Sequence, residues 1–329
     1  MKRRAFLAGA AAGAVGIVGA SALGRAQAPA QAPAAGQGAP GRGGVGRGGG
    51  PANVPAEKLA RVSIMTGSFN SIVKLPWDKT PTAEQTLTIF DLPKMYVETY
   101  GVHSIEYQHT QLAPSDPALG PIDGDPAMFR EIKARLDENK VTMTQINLEF
   151  GMQNISNPDP AMRQQALDRT KRWIDNAVLL GCPRVMINQQ QNTLNADTRA
   201  HAVATWKAMA DFGKSKNVKV SAETRGGPAP GATGPLPWEF LAGVIKDAGA
   251  YSNVDIGNVG ALNQQGLHDA IKGLFPTSSG NMHIKSSPFW DMGLAVRFTE
   301  SLGYKGLYSI EVGTHPAVRI VYNTIVASL

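Results

Sequence analysis

Four short apolar runs in the C-terminal part of the chain each carry a metal-ligand residue type near their C-terminal end. This recurrence constrains the fold more than any other feature. The runs are residues 218–223, 253–257, 281–285 and 307–311, and the residues they carry are Glu223, Asp255, His283 and Glu311. Successive members of that set lie 32, 28 and 28 residues apart. A strand, a loop and a covering helix take about that length in a barrel of roughly 250 residues with eight such units. Side chains at the C-terminal ends of successive parallel strands converge on one point of such a barrel. Three carboxylates and an imidazole meeting there form a donor set for a divalent cation.

The rest of the body repeats the pattern. Strand-like runs fall at 61–66, 102–107, 140–147 and 184–188, ahead of the four already named. Helical patterns fall at 85–100, 127–139, 161–180, 198–216, 238–250, 264–274, 289–302 and 318–328. In the long pattern at 161–180, Leu167, Trp173, Ile174, Ala177, Val178 and Leu180 follow the rhythm of one buried helix face. Gly101, Gly181 and Gly303 stand where three helices must stop, as left-handed caps require. Strict alternation of eight strands and helices predicts a parallel sheet closed into a (β/α)8 TIM barrel. An open doubly wound sheet is the alternative, and it lacks a phosphate-cradling turn after the first strand.

Residues 1–28 read differently. Lys2, Arg3 and Arg4 precede an Ala- and Gly-rich apolar run that ends at Ala26-Gln27-Ala28, the pattern of a twin-arginine export signal. This predicts a periplasmic protein with no stable membrane span after processing. An uncleaved anchor over residues 5–23 is the alternative. Residues 29–55, rich in Ala, Pro, Gln and Gly without periodicity, read as a flexible tether, which leaves 56–329 as the domain. The signal carries four basic residues and no acid, so removing it takes the net charge from +6 to +2. Removing Arg42 and Arg47 with the tether brings the body to neutrality, which argues against nucleic acid as a partner. Cys182 is the sole cysteine, so no intramolecular disulfide forms, and its place before Pro183 reads as packing.

A competing reading of the four strand-end residues is structural pairing of the acids with Arg225, Lys285 and Arg319. Four ligand types in register with four strands argue against it, because acids without a functional reason favour exposed helix faces. Strand alternation puts Arg225 on the side of Glu223, and Lys285 on the side of His283.

With these strand ends, the body resembles the xylose isomerase-like TIM-barrel superfamily, the sugar phosphate isomerase/epimerase group, in its exported twin-arginine branch. The resemblance spans nearly all of 61–329. It implies that Glu223, Asp255, His283 and Glu311 hold one divalent metal: manganese, cobalt or magnesium, with zinc a further option. It implies that Glu223 and Glu311 also serve as base and acid beside a sugar carbonyl, through an enediolate. Two positions depart from the epimerase pattern. A histidine three residues after the aspartate is here Asn258, and an arginine six residues after the histidine is here Phe289. Both usually touch substrate hydroxyls, and the histidine is also needed by the three-zinc nucleases of the superfamily.

Substrate contacts are expected from Asn258, Lys285, Arg225, His109, Glu149, Gln189 and Trp290. Glu106 is a weaker candidate for the pocket. Trp238, Trp290 and Phe289 offer an apolar wall for a sugar ring or, equally, helix packing. His315 reads as loop structure. The expected activity is a metal-dependent isomerase or epimerase of a small sugar or sugar derivative. The alternatives are a lyase or hydratase acting on 3-keto-glycosides, and a sugar-binding barrel without catalysis. Expected partners are the sugar or keto-glycoside itself, a second copy in a homo-oligomer, and a sugar oxidoreductase working on the same material.

Overall fold

The computed structural model describes residues 54–116, 120–121, 123–149, 155–188, 194–223 and 236–329. The expected signal, the tether up to residue 53, Arg225 and Gln189 lie outside them. Eight strands form the barrel: β1 (Val62–Met65), β2 (Ser104–Gln108), β3 (Thr142–Leu148), β4 (Arg184–Asn188), β5 (Lys219–Glu223), β6 (Tyr251–Asp255), β7 (Ser278–Ile284) and β8 (Leu307–Ile310). Each pairs in parallel with the next, and β8 returns to β1, so the sheet is closed as the alternation predicted. The outer helices are α1 (Leu92–Tyr100), α2 (Pro126–Glu138), α3 (Pro160–Leu180), α4 (Arg199–Ser215), α5 (Pro237–Ala248), α6 (Gln264–Leu274), α7 (Met292–Ser301) and α8 (His315–Ser328).

The helices bury one face each against the sheet. In α3 that face is Ala166, Trp173, Ile174, Ala177 and Leu180. Val178 was expected on it but is 48% exposed. It lies one residue past Ala177, about 100° round the helix, and so turns away from the barrel. Gly101 and Gly181 end α1 and α3 with φ of 68° and 67°, a left-handed conformation that glycine takes without a Cβ clash.

Three element boundaries depart from the periodic reading. Helix α1 begins at Leu92 rather than residue 85, because the Thr88 amide and hydroxyl both donate to the Asp91 carboxylate and fold this stretch into a turn. Pro93 then sits in the first turn, where its missing N–H costs nothing. Helix α7 begins at Met292, after Asp291 caps it by accepting from the Leu294 amide at 2.6 Å. His315, expected in a loop, opens α8, with Pro316 following it in the first turn.

The barrel interior is polar where β/α barrels usually stack branched aliphatics. Ser63, Glu106, Gln145, Asn253, Asn281 and Ser309 are all fully buried within it. Register brings them together: Ser63 lies beside Ser309, and Ser309 beside His283. It also aligns Asp255 with His283, and Asn253 with Glu223.

Helix α4 approaches β5 closely at Gly213. A Cβ there would sit 2.5 Å from the Val218 carbonyl oxygen and 2.6 Å from Val220 Cγ2. Gly213→Ala should therefore destabilise the barrel despite alanine's better helix propensity. Overpacking costs ~1–3 kcal/mol, against a propensity gain of about 1 kcal/mol. The expected result is a lower urea midpoint in equilibrium unfolding, and an unchanged or higher midpoint would contradict this packing.

Candidate functional site

The closing residues of β5, β6 and β7 and the residue after β8 place Glu223, Asp255, His283 and Glu311 around one point. One donor atom from each lies within 4.8 Å of all the others. Nδ1 of His283 is 2.7 Å from Glu223 Oε1, 2.7 Å from Glu311 Oε2 and 3.9 Å from Asp255 Oδ2. Lys285 Nζ sits 2.6 Å from Asp255 Oδ2 and 3.1 Å from Glu311 Oε1. The Asn258 amide donates to Glu223 Oε2 at 3.4 Å, and the Gly257 N–H donates to Asp255 Oδ1 at 2.8 Å. Part of the ion-pair reading is thus present at Lys285. Arg319 is engaged elsewhere: it donates to the Thr99 carbonyl and lies over the rings of Tyr100 and Tyr322.

Beneath these residues lies Glu106 of β2, which pattern reading treated only as a weak pocket candidate. Its Oε1 meets His283 Nε2 at 2.8 Å and accepts from Gln145 Nε2 at 3.0 Å. Its Oε2 accepts from Asn281 Nδ2 at 3.0 Å and from the Ser309 hydroxyl at 2.6 Å. Four donors match the roughly four lone-pair sites of an ionised carboxylate. The fourth is His283 Nε2–H, which fixes the ring so that Nδ1 faces Glu223 and Glu311. A glutamate in the middle of an apolar strand, Ile105-Glu106-Tyr107, is the one sequence signal that a buried partner had to exist.

Burial raises the Glu106 carboxyl, but the adjacent His283 and the hydrogen bonds from His283, Ser309 and Gln145 outweigh it and hold the group below its ordinary range. At Glu223 burial wins, helped by the charges of Asp255 and Glu311, and the carboxyl is pushed up to about 7. Glu311 goes the other way: burial opposes ionisation, yet Lys285 and His283 hold it well below the carboxylate range. His283 and Lys285 are both shifted upward by the surrounding acids, against the effect of burial.

Asp255 Oδ2 and Glu311 Oε2 accept no well-directed hydrogen bond even though cationic groups stand beside them. Three carboxylates and an imidazole converging on one point fit a hard or borderline divalent cation. The quartet could therefore hold one metal ion.

Above the quartet opens a cavity of about 370 Å³, lined by Met65, Gln108, Glu149, Lys285, Glu311 and Val312 among others. Glu149 and Lys285 line it, whereas Trp290 lines a neighbouring cavity of about 330 Å³. Trp238 packs on α6, where a Cβ at Gly273 would meet its ring at 2.2 Å, so it serves helix packing. His109 corrects the expectation of direct contact. It is 1% exposed, its Nδ1 lies 3.2 Å from the Asn147 carbonyl and 3.1 Å from the Glu149 amide, and its ring meets Trp173 edge-on.

Burial keeps that imidazole neutral, with its pKa pushed down to about 4. The unfolded chain, with histidine near about 6.5, takes up the proton first as pH falls. The stability linked to His109 is thus complete above about 6.5 and is lost toward the folded value. His109→Asn should flatten the pH dependence of stability in that window by up to about 1.4 kcal/mol per pH unit. Parallel urea titrations of both proteins at several pH values check this, and superimposable slopes would contradict a buried neutral ring.

Among the described residues, no helix is long and apolar enough to cross a membrane. Comparison with curated proteins gives no match. Solved structures give the same barrel at low identity. D-psicose 3-epimerase from Clostridium cellulolyticum, solved with D-tagatose, aligns at TM-score 0.54 and 12% identity, covering 82% of this chain and 95% of that one. The 3-keto-D-glucoside 4-epimerase YcjR from E. coli aligns at TM-score 0.55 and 10% identity, covering 82% and 98%. The probable 3-DHS dehydratase AsbF from Bacillus anthracis aligns at 0.55 and 14%, covering 80% and 97%. The family profile described as Xylose isomerase-like TIM barrel matches residues 96–316, a span that takes in all four strand-end residues. With its closed eight-stranded barrel and this match, the chain belongs to the xylose isomerase-like TIM-barrel family.

Proposed function

We propose that this protein is a divalent-metal-dependent isomerase or epimerase that moves a proton beside the carbonyl of a small sugar or sugar derivative, through an enediolate. The observation that carries the reading is the pair Glu223 and Glu311. They reach the same His283 nitrogen from non-adjacent strand ends, and so flank the point on which the four donor groups converge. Epimerisation needs such a pair, one carboxylate free to take a proton and one carboxylic acid ready to give one on the other face.

A divalent cation held by Glu223, Asp255, His283 and Glu311 would supply Lewis-acid stabilisation of the oxygen that gains charge. The protein's own groups do the rest. Glu311, kept ionised by Lys285, takes the proton as the C–H bond breaks and its electrons move onto the carbonyl oxygen. Glu223, steadied by Asn258, returns a proton to carbon as the carbonyl re-forms. In the reverse direction the two exchange roles. The Lys285 ammonium adds fixed positive charge at the cavity floor. Glu106 positions His283.

The substrate class rests on the relatives, which include a D-psicose 3-epimerase and a 3-keto-D-glucoside 4-epimerase. A second reading draws on the adjoining cavity, which leaves room for a group carried on the sugar. Proton abstraction beside a ketone would then expel that group with the electron pair, as in a lyase acting on 3-keto-glycosides.

Incubation of the metal-loaded protein with D-psicose, D-tagatose and methyl 3-keto-glucoside in D₂O tests both. Deuterium entering carbon without loss of a fragment supports the isomerase or epimerase, and release of methanol from the glucoside supports the lyase. Absence of both outcomes, with metal bound, would reject catalysis. Glu223→Gln and Glu311→Gln should each lower turnover by ~10²–10⁴-fold, and near-normal turnover in both variants with metal retained would exclude the assignment. Glu106→Gln should weaken metal affinity by ~10–100-fold, read by competition with a chelating dye. An unchanged affinity would remove Glu106 from the positioning role.

A further inference from the structure

Two loops on the same face of the barrel, residues 256–263 after β6 and 285–291 after β7, enclose the second cavity of about 330 Å³. The cavity above the acids is about 370 Å³. Each lies near the lower limit of ligand sites, roughly 300 Å³, so each suits one small chemical unit. They are neighbours, with Lys285 and Ser286 lining both. The Lys285 stem forms the sill between them. It lies against the backbone at Gly257, where a Cβ would meet its Cδ at 2.3 Å and its Cγ at 2.4 Å.

The walls of the two cavities differ in kind. Gln108, Glu149 and Glu311 face the first. The second is walled by Ala261, Leu262, Pro288, Phe289 and Trp290, and among the described residues Lys285 is the sole ionisable one lining it. Leu262 is 68% exposed and Phe289 57%. A single exposed apolar residue is ordinary, whereas here two flank one cavity beside a charged cluster. The walls are braced: the Asp291 N–H donates to Gln264 Oε1 at 2.7 Å and the Phe289 N–H to Ser287 Oγ at 3.2 Å. The first loop also carries Asn258, which touches Glu223, so cavity and acids share one support.

We propose that the second cavity is a subsite for a flat, apolar aryl group attached to the sugar whose carbonyl lies over the acids. The assignment rests on the sugar-enzyme reading and narrows its substrate class to aryl glycosides in keto form. The group would pass over the Lys285–Ser286 sill and lie against Phe289 and Trp290, which accept a ring by stacked or edge contacts. A second sugar suits these walls less well, since among the described residues its hydroxyls would meet only Ser286, Ser287 and Lys285 as polar side chains.

The test uses the metal-loaded full chain with methyl and phenyl 3-keto-β-D-glucopyranoside, and calorimetry for affinity. The phenyl probe should bind roughly tenfold tighter than the methyl probe, the scale of one good aromatic contact with its burial. Phe289→Ser and Leu262→Ser change exposed residues outside the acid cluster. Each should bring that ratio close to one while leaving the methyl affinity as it was. Equal affinities in the wild type, a ratio unmoved by either variant, no binding by either probe, or equally tight binding of a keto-disaccharide would each overturn the subsite. Deuterium exchange into the methyl probe separates the two claims. Exchange without a phenyl preference removes the subsite and leaves the catalytic reading. A phenyl preference that the variants abolish, without exchange, removes catalysis and leaves the subsite.

Discussion

Glu106 carries a negative charge into a barrel interior that offers no bulk water, and donors from three other strands hold it there. Gln145 comes from β3, Asn281 and His283 from β7, and Ser309 from β8. Withdrawing one partner from a buried ionic arrangement of this kind costs ~3–5 kcal/mol. The same contacts also fix the angle of the His283 ring. Barrel register and site geometry are therefore not separate problems for this chain. A slip of one residue in β7 would turn His283 and Asn281 out of the barrel and leave a buried carboxylate without its donors.

The electrostatics of the upper layer follow from this. Because Glu106 takes one nitrogen of His283, the other is left to face Glu223 and Glu311, and Lys285 bridges Asp255 and Glu311 beside it. Four acids share two cationic groups in a buried space. The acids cannot all keep ordinary proton affinities under those conditions, and Glu223 and Glu311 part in opposite directions. Glu223 rises first of all through burial, whereas Glu311 has the Lys285 ammonium in direct contact at 3.1 Å.

Much of the fold was legible because it depends on local periodicities. Apolar runs, amphipathic helices and stop signals such as Gly101 and Gly181 recur along the chain, and eight of them in alternation leave few architectures. The convergence of Glu223, Asp255, His283 and Glu311 was legible for the same reason, since a strand end in a parallel barrel has a known place. The bond between Glu106 and His283 spans 177 positions, and no local pattern announces it. The start of α1 was hidden by an aspartate–threonine turn that periodicity does not weigh. His109 and Trp290 follow strand ends that the alternation locates, but how deep a side chain sits depends on its neighbours. His109 went under Glu149, and Trp290 went to the adjoining cavity.

The barrel thus contains two cores of different character. Between strands and helices lies an aliphatic and aromatic layer, Trp173, Ile174, Trp206 and Leu241 among its members, held by contacts that many side chains of similar volume can supply. Inside the strands lies a lattice of Glu106, Gln145, Asn253, Asn281 and Ser309, held by directional bonds in which each member has few replacements. The outer layer tolerates side chains of similar volume, whereas the inner one loses a directional bond with each replacement. Solved structures sharing only 10–14% identity with this chain have the same barrel. In this chain a change on the helix side alters stability by degrees, whereas a change inside the strands alters what the barrel is able to hold.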